Sequence, residues 1–160
     1  MGWYDYHLHH FEIGGTLYGD REAAGEFGDA ELQSERKINV GFLAREGERW
    51  FSYVYDYGDN WSCVIVLEAL YPALPGVPYP CLDGGEGESP PEDVGGVWGY
   101  DELVAALDDP KNDRHEEAVE RLGEGFDAAS FDQDAVATAL ASLVKRSAKS
   151  RKKSSPSTRN

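Results

Sequence analysis

The chain has 160 residues, enough for one domain, with 41% apolar and 28% charged residues, a composition that excludes a wholly disordered chain. No window approaches eighteen consecutive apolar residues, and the start Met1-Gly2-Trp3-Tyr4-Asp5 has neither the basic stretch nor the apolar run of a secretory signal. The net charge of −15 is unevenly spread: residues 145–160 hold seven cations and no acid, so the remainder sets eight cations against thirty acids, a net −22 that repels nucleic acid and membrane surfaces.

Residues 6–13 alternate and read as a strand ending at Gly14-Gly15, with His7, His9, Phe11 and Ile13 on one face. Residues 20–35 are acidic and aperiodic, and read as a mobile loop. Residues 37–43 set Ile38, Val40 and Phe42 on one face, the pattern of a half-buried strand. Residues 49–57 and 61–69 are β-prone, and Gly58-Asp59-Asn60 between them predicts an antiparallel hairpin with Trp61, Cys63, Ile65 and Leu67 on one face. Residues 71–99 hold six of the eight prolines and fit no regular element, so a long loop is expected.

Helices follow. One begins at Asp101-Glu102 and stops at Pro110; a second has Asp113 and Glu116 as a capping box and Gly123 as its end. A third is capped by Asp132 and carries Val136, Leu140, Leu143 and Val144 on one stripe. Strands first and helices after predict an α+β fold, an antiparallel sheet covered by C-terminal helices. The expected organisation is one domain over 1–144 and a disordered basic tail over 145–160, whose single apolar residue buries too little surface to fold.

Each chemistry-bearing group has a plain and a sharp reading. His7 and His9 point one way from a strand and suit a shared metal, but they share that face with Phe11 and Ile13, which suits packed structural histidines. Asp56 and Asp59 flank a turn beside Trp61; they bond turn amides, or they act as cation ligands or a proton-transfer pair. Pro90-Pro91-Glu92-Asp93 followed by Gly95-Gly96 is a stiff segment with two carboxylates and two permissive glycines, which suits either a site or a helix entry. Cys63 falls on a core face and Cys81 in the proline-rich loop; two cysteines make no disulfide framework, so a reducing cytoplasm is expected. No dinucleotide, Walker, zincin or nucleophile-elbow signature is present.

Several segments together resemble the plasmid pRi ORF-three-like family, whose members are also known as insertion-sequence passenger proteins, TnpR. They are Met1-Gly2-Trp3, His7-Leu8-His9 with Phe11, Tyr18-Gly19, Tyr55-Asp56-Tyr57-Gly58-Asp59-Asn60-Trp61 and Pro80-Cys81. They continue with Pro90-Pro91-Glu92-Asp93-Val94-Gly95-Gly96, Gly99-Tyr100, Asp109-Pro110, His115, Phe126-Asp127 and Phe131-Asp132. The resemblance implies a plasmid or mobile-element setting and no reaction. The TnpR label suggests a resolvase, yet no catalytic-serine segment with an arginine cluster is present and the body is acidic, so recombinase chemistry is not expected. Relatives carry a segment ahead of Met-Gly-Trp; a chain lacking it should lose strands and expose an apolar sheet face, with poor solubility. Cysteines that many relatives place around Pro-Pro-Glu-Asp are Ser89 and Val94 here, so no thiolate metal site is complete.

Three functions are carried forward. The first is a non-enzymatic binding or accessory module of a mobile element, contacting a protein partner through its acidic body. Its nucleic-acid contact would run through Lys145, Arg146, Lys149, Arg151, Lys152 and Lys153. The second is a metal-dependent hydrolase or nuclease drawing on His7, His9, Asp56, Asp59, Glu92, Asp93 and His115. It has zinc or manganese as the fitting cation, and the groups must converge within ~10 Å, since ligands sit ~2 Å from a metal. No metal ligand is assigned from the sequence; His7, His9, Asp59 and Glu92 are the candidates. The third is a small-molecule pocket lined by Trp61, Tyr55, Tyr57 and Tyr100.

Overall fold

A computed structural model describes residues 2–20 and 32–154, with the side chains of 145–154 outside the description. Five strands form one sheet: β1 (His9–Ile13), β2 (Thr16–Gly19), β3 (Gln33–Ser34), β4 (Trp50–Tyr55) and β5 (Trp61–Val66), in the order β3-β2-β1-β4-β5. Every pairing is antiparallel except β2 with β3. The helices are α1 (Val40–Glu46), α2 (Gly96–Leu107), α3 (His115–Leu122) and α4 (Gln133–Ser154), with a 3-10 turn at Glu35–Lys37. The expected α+β architecture is therefore present.

The contacts of the chain divide it into two compact units. The larger holds Trp3–Tyr71 and Pro90–Glu124, with the whole sheet and α1 to α3. The smaller holds Pro72–Ser89 and the chain from Gly125 onward.

The expected antiparallel hairpin is present, with Tyr55 opposite Trp61 and Trp50 opposite Val66. Trp61, Cys63 and Ile65 face inward, while Val64 and Val66 are 67% and 58% exposed. That alternation is what a sheet with one covered face requires. The core of the larger unit joins Tyr55 and Trp61 from the sheet to Val94, Leu103 and Ala106 and to Ala118 of α3. Trp3, Tyr53, Tyr100, Leu107 and Leu122 pack around them. Further along the sheet, Phe11, Ile13, Phe51 and Leu43 of α1 line an apolar cavity of about 140 Å³.

Four expectations are corrected. Residues 37–43 are not a strand. Asn39 caps α1 by accepting from the Phe42 amide at 2.9 Å, and Gly47 closes the helix in the left-handed region at φ 80. Two good caps eight residues apart outweigh the short alternation of Ile38, Val40 and Phe42, and Val40 is 66% exposed. α2 starts at Gly96 rather than Asp101, because the turn before it is held by Asp59. Asp113 is not the cap of α3. Arg114 occupies that place, its amide donating to Asn112 Oδ1 at 2.9 Å and its guanidinium pairing with Glu102 and Glu117. Finally, α4 runs to Ser154, across the boundary expected at 144. Alanine, lysine and arginine propagate a helix once an apolar stripe has nucleated it.

Asp132 does cap α4, its Oδ1 accepting from Ala135 at 2.8 Å, and Gly123 does end α3. Residues 21–31 of the expected loop and 155–160 of the expected tail lie outside the described residues. Within the smaller unit, Phe131 lies against Gly85 so closely that a Cβ there would sit 2.3 Å from the ring.

Candidate functional site

The best-supported site grows out of the Tyr-Asp-Tyr-Gly-Asp-Asn-Trp turn. As β4 ends, Asp56 turns the chain at φ 57, and its Oδ1 accepts from the Gly58 amide at 2.9 Å. Its residue is only 7% exposed, the one buried charged residue among those described. Asp59, three positions on, reaches a different segment: Oδ2 accepts from both Val94 and Gly95 at 3.1 Å. That pair of bonds brings the Pro-Pro-Glu-Asp segment to the hairpin turn. Trp3 fixes its other end by donating its indole N–H to the Pro90 carbonyl at 2.8 Å while stacking on Tyr55 at 4.9 Å.

Glu92 and Asp93 are thereby delivered beside His7. The His7 ring has Asp56 Oδ2 at 3.7 Å from Nδ1, and on its other side Asp93 Oδ1 at 3.3 Å and Glu92 Oε2 at 3.5 Å from Nε2. His7, Asp56 and Asp93 each offer a ligand atom within 4.8 Å of the others. Glu92 is anchored through Oε1, which accepts from the Tyr55 hydroxyl at 3.0 Å and from the Tyr4 amide. Its other oxygen is different. Glu92 Oε2 and His7 Nε2 are both buried without a hydrogen-bond partner, so their close approach lacks hydrogen-bond geometry. A buried polar atom left in that state is costly, about 1–3 kcal/mol each. Ligands ~2.1 Å from one ion are at most ~4.2 Å apart, so this set closes on a cation with shifts of several tenths of an ångström.

The electrostatics follow from burial. Desolvation pushes the Tyr55 phenol above its ordinary range, and the bond to Glu92 adds to this. Tyr53 is pushed up to about 12 by burial first, then by the charge of Asp5. These phenols therefore stay neutral, and that of Tyr55 donates to Glu92.

Of the sequence candidates, His7, Asp56, Glu92 and Asp93 converge. His9 does not join them: its Nε2 pairs with Glu35 at 2.9 Å and its Nδ1 faces Asp5 at 3.7 Å. Asp59 is used up on two backbone amides. His115 bonds the Ala106 carbonyl at 2.9 Å and ties α3 to α2. Trp61 is buried and Tyr100 meets it edge-on at 6.4 Å, so the aromatic set is core rather than pocket lining, while Tyr57 contacts His10. Cys81 is exposed and lies in the smaller unit. Two participants were missed by the sequence reading, Tyr4 and Tyr6. Their alternation around Asp5, just ahead of His7, was the available signal.

Fold and site together define an α+β protein with one histidine set among three carboxylates. The chain belongs to the plasmid pRiA4b ORF-3-like protein family, whose model matches residues 1–135. It is similar to the uncharacterized protein y4hQ of Sinorhizobium fredii, 38% identical over 136 residues that cover 83% of this chain and 69% of that protein. It is also similar to a crystal structure from Methanosarcina mazei, protein MM3350 of unknown function. That match has a TM-score of 0.71 and 36% identity, over 84% of this chain and 75% of that one.

Proposed function

We propose that the protein works as a divalent-cation-binding module in a plasmid or mobile-element setting. Its ligands are His7, Asp56 and Asp93, and Glu92 is the carboxylate facing them. The observation that carries this reading is the pair of buried, unpartnered atoms, His7 Nε2 and Glu92 Oε2, inside a compact ligand set. An imidazole with carboxylates suits zinc or manganese. Asp93 remains 66% exposed at its side chain, which leaves an approach for a ligand or water.

A metal-dependent hydrolase is the enzymatic form of this reading, and one observation favours it. Glu92 Oε2 has no other partner, so it is available as a base toward a water bound at the site. The basic residues of the C-terminal part of α4 carry a second, independent contact. Lys145, Arg146, Lys149, Arg151, Lys152 and Lys153 offer a contact to phosphates, and deleting 145–160 should then abolish salt-sensitive nucleic-acid binding.

Calorimetric titration of metal-stripped full-length protein with Mn²⁺ tests the main reading. One saturable site in the wild type, lost in Asp93→Asn and in Asp56→Asn, supports it. Equal heats in all three proteins overturn it.

A further inference from the structure

Resting on the cation reading, we propose that the site takes a small phosphorylated ligand with a flat ring, of the mononucleotide class. The phosphate meets the cation, and the ring stacks on Tyr4 and Tyr6. These tyrosines are 72% and 78% exposed, yet their rings stack on each other at 5.5 Å and 21°. Asp5 between them stands at φ 61, a conformation that side-chain-bearing residues seldom adopt.

The core gains nothing from this arrangement, because neither ring enters it. What the strained backbone does is hold two aromatic faces in water at a fixed place. The backbone that carries them borders the cluster. The Tyr4 amide donates to Glu92 Oε1, and the Tyr6 amide donates to the Tyr55 hydroxyl at 3.2 Å, which itself donates to Glu92. Tyr6 adjoins His7 in the chain.

The charges narrow the ligand further. Three carboxylates repel a phosphate unless a cation stands between them, so binding should be obligatorily cation-dependent. A body of −22 repels a long polyanion, which favours a single nucleotide over a strand. A flat π-face is what an exposed tyrosine pair recognises, and base stacking on aromatic side chains corresponds to roughly 5- to 150-fold in affinity.

The test titrates Mn²⁺-loaded full-length protein with adenosine monophosphate, ribose 5-phosphate and inorganic phosphate. The nucleotide should bind about tenfold or more tighter than the two probes without a base, and not at all without Mn²⁺. The Tyr4→Ala, Tyr6→Ala double variant should fall to the ribose 5-phosphate level. The corresponding double Phe variant should keep nucleotide affinity, which separates ring stacking from loss of fold. Equal affinity for nucleotide and ribose 5-phosphate overturns the inference and leaves the cation reading standing. Failure of Mn²⁺ itself to bind overturns both.

Discussion

Three glycines around the Pro-Pro-Glu-Asp turn separate backbone strain from steric clash, and replacing each by alanine measures the two costs independently. Gly95 stands at φ 86 with its nearest neighbour, the Gly99 Cα, 3.5 Å from a new Cβ, so Gly95→Ala adds strain without a clash. Left-handed strain of about 1–2 kcal/mol, less about 0.4–1 kcal/mol from a stiffer unfolded chain, leaves a net cost near 1 kcal/mol. Gly99 has no positive φ, but a Cβ there would lie 2.0 Å from the Val94 carbonyl oxygen. Contact distance is about 3.3 Å, so the backbone must give by more than an ångström, at about 2–3 kcal/mol. Gly96 carries both burdens, φ 65 and a Cβ 2.2 Å from the Asp59 carbonyl oxygen, and Gly96→Ala should cost about 3–4 kcal/mol. Urea denaturation of the three variants should rank them Gly95, Gly99, Gly96. Because Gly96 lies against the residue that holds the Glu92-Asp93 turn, its variant should also weaken Mn²⁺ binding more than Gly95→Ala does. Equal stability of the Gly95 and Gly96 variants would refute the packing argument.

Other outcomes follow from the same contacts. Asp59→Ala leaves the amides of Val94 and Gly95 without their acceptor, Val94 being buried, and should cost about 2–3 kcal/mol in denaturant unfolding. Leu103 is 1% exposed, and Leu103→Ala should cost about 2–5 kcal/mol by opening a cavity between α2 and the sheet. Tyr53, raised from 10.0 to about 12, holds its proton more tightly in the folded state. Its contribution is therefore full below pH 10 and is lost as the pH rises through 12. Discounted for solvent screening it is about 1 kcal/mol, and Tyr53→Phe should flatten the alkaline unfolding curve over that window. An unchanged curve would remove burial of that phenol as the cause.

Much of the fold was legible because its signals were local. The hairpin announced itself through two β-prone runs and a Gly-Asp-Asn turn, and the inward face of β5 followed from which residues alternate. α1 was misread because three alternating apolar residues mimic a strand, while its caps, Asn39 and Gly47, sit eight residues apart and only make sense together. The start of α2 was misplaced for a different reason. Gly95 and Gly96 read in sequence as permissive positions that suit a site or a helix entry, and the helix begins at Gly96 itself because Asp59, 36 positions earlier than Gly95, accepts the amides of Val94 and Gly95. The site was half legible for the same cause. His7, Asp56, Glu92 and Asp93 are all candidates from sequence, but nothing local tells which of the two turn aspartates, Asp56 or Asp59, faces His7. That distinction lies in what each carboxylate reaches, Asp56 Oδ2 the His7 ring and Asp59 Oδ2 the amides of Val94 and Gly95.

The most direct measurement of the central claim is the metal content of the full chain, purified without a metal-binding tag and read by elemental mass spectrometry. The account predicts near-stoichiometric zinc or manganese in the wild type and its loss in a His7→Ala variant that still folds. A folded wild type without metal, or a His7→Ala variant that keeps it, would contradict the account and leave the cluster as a histidine buttressed by three carboxylates.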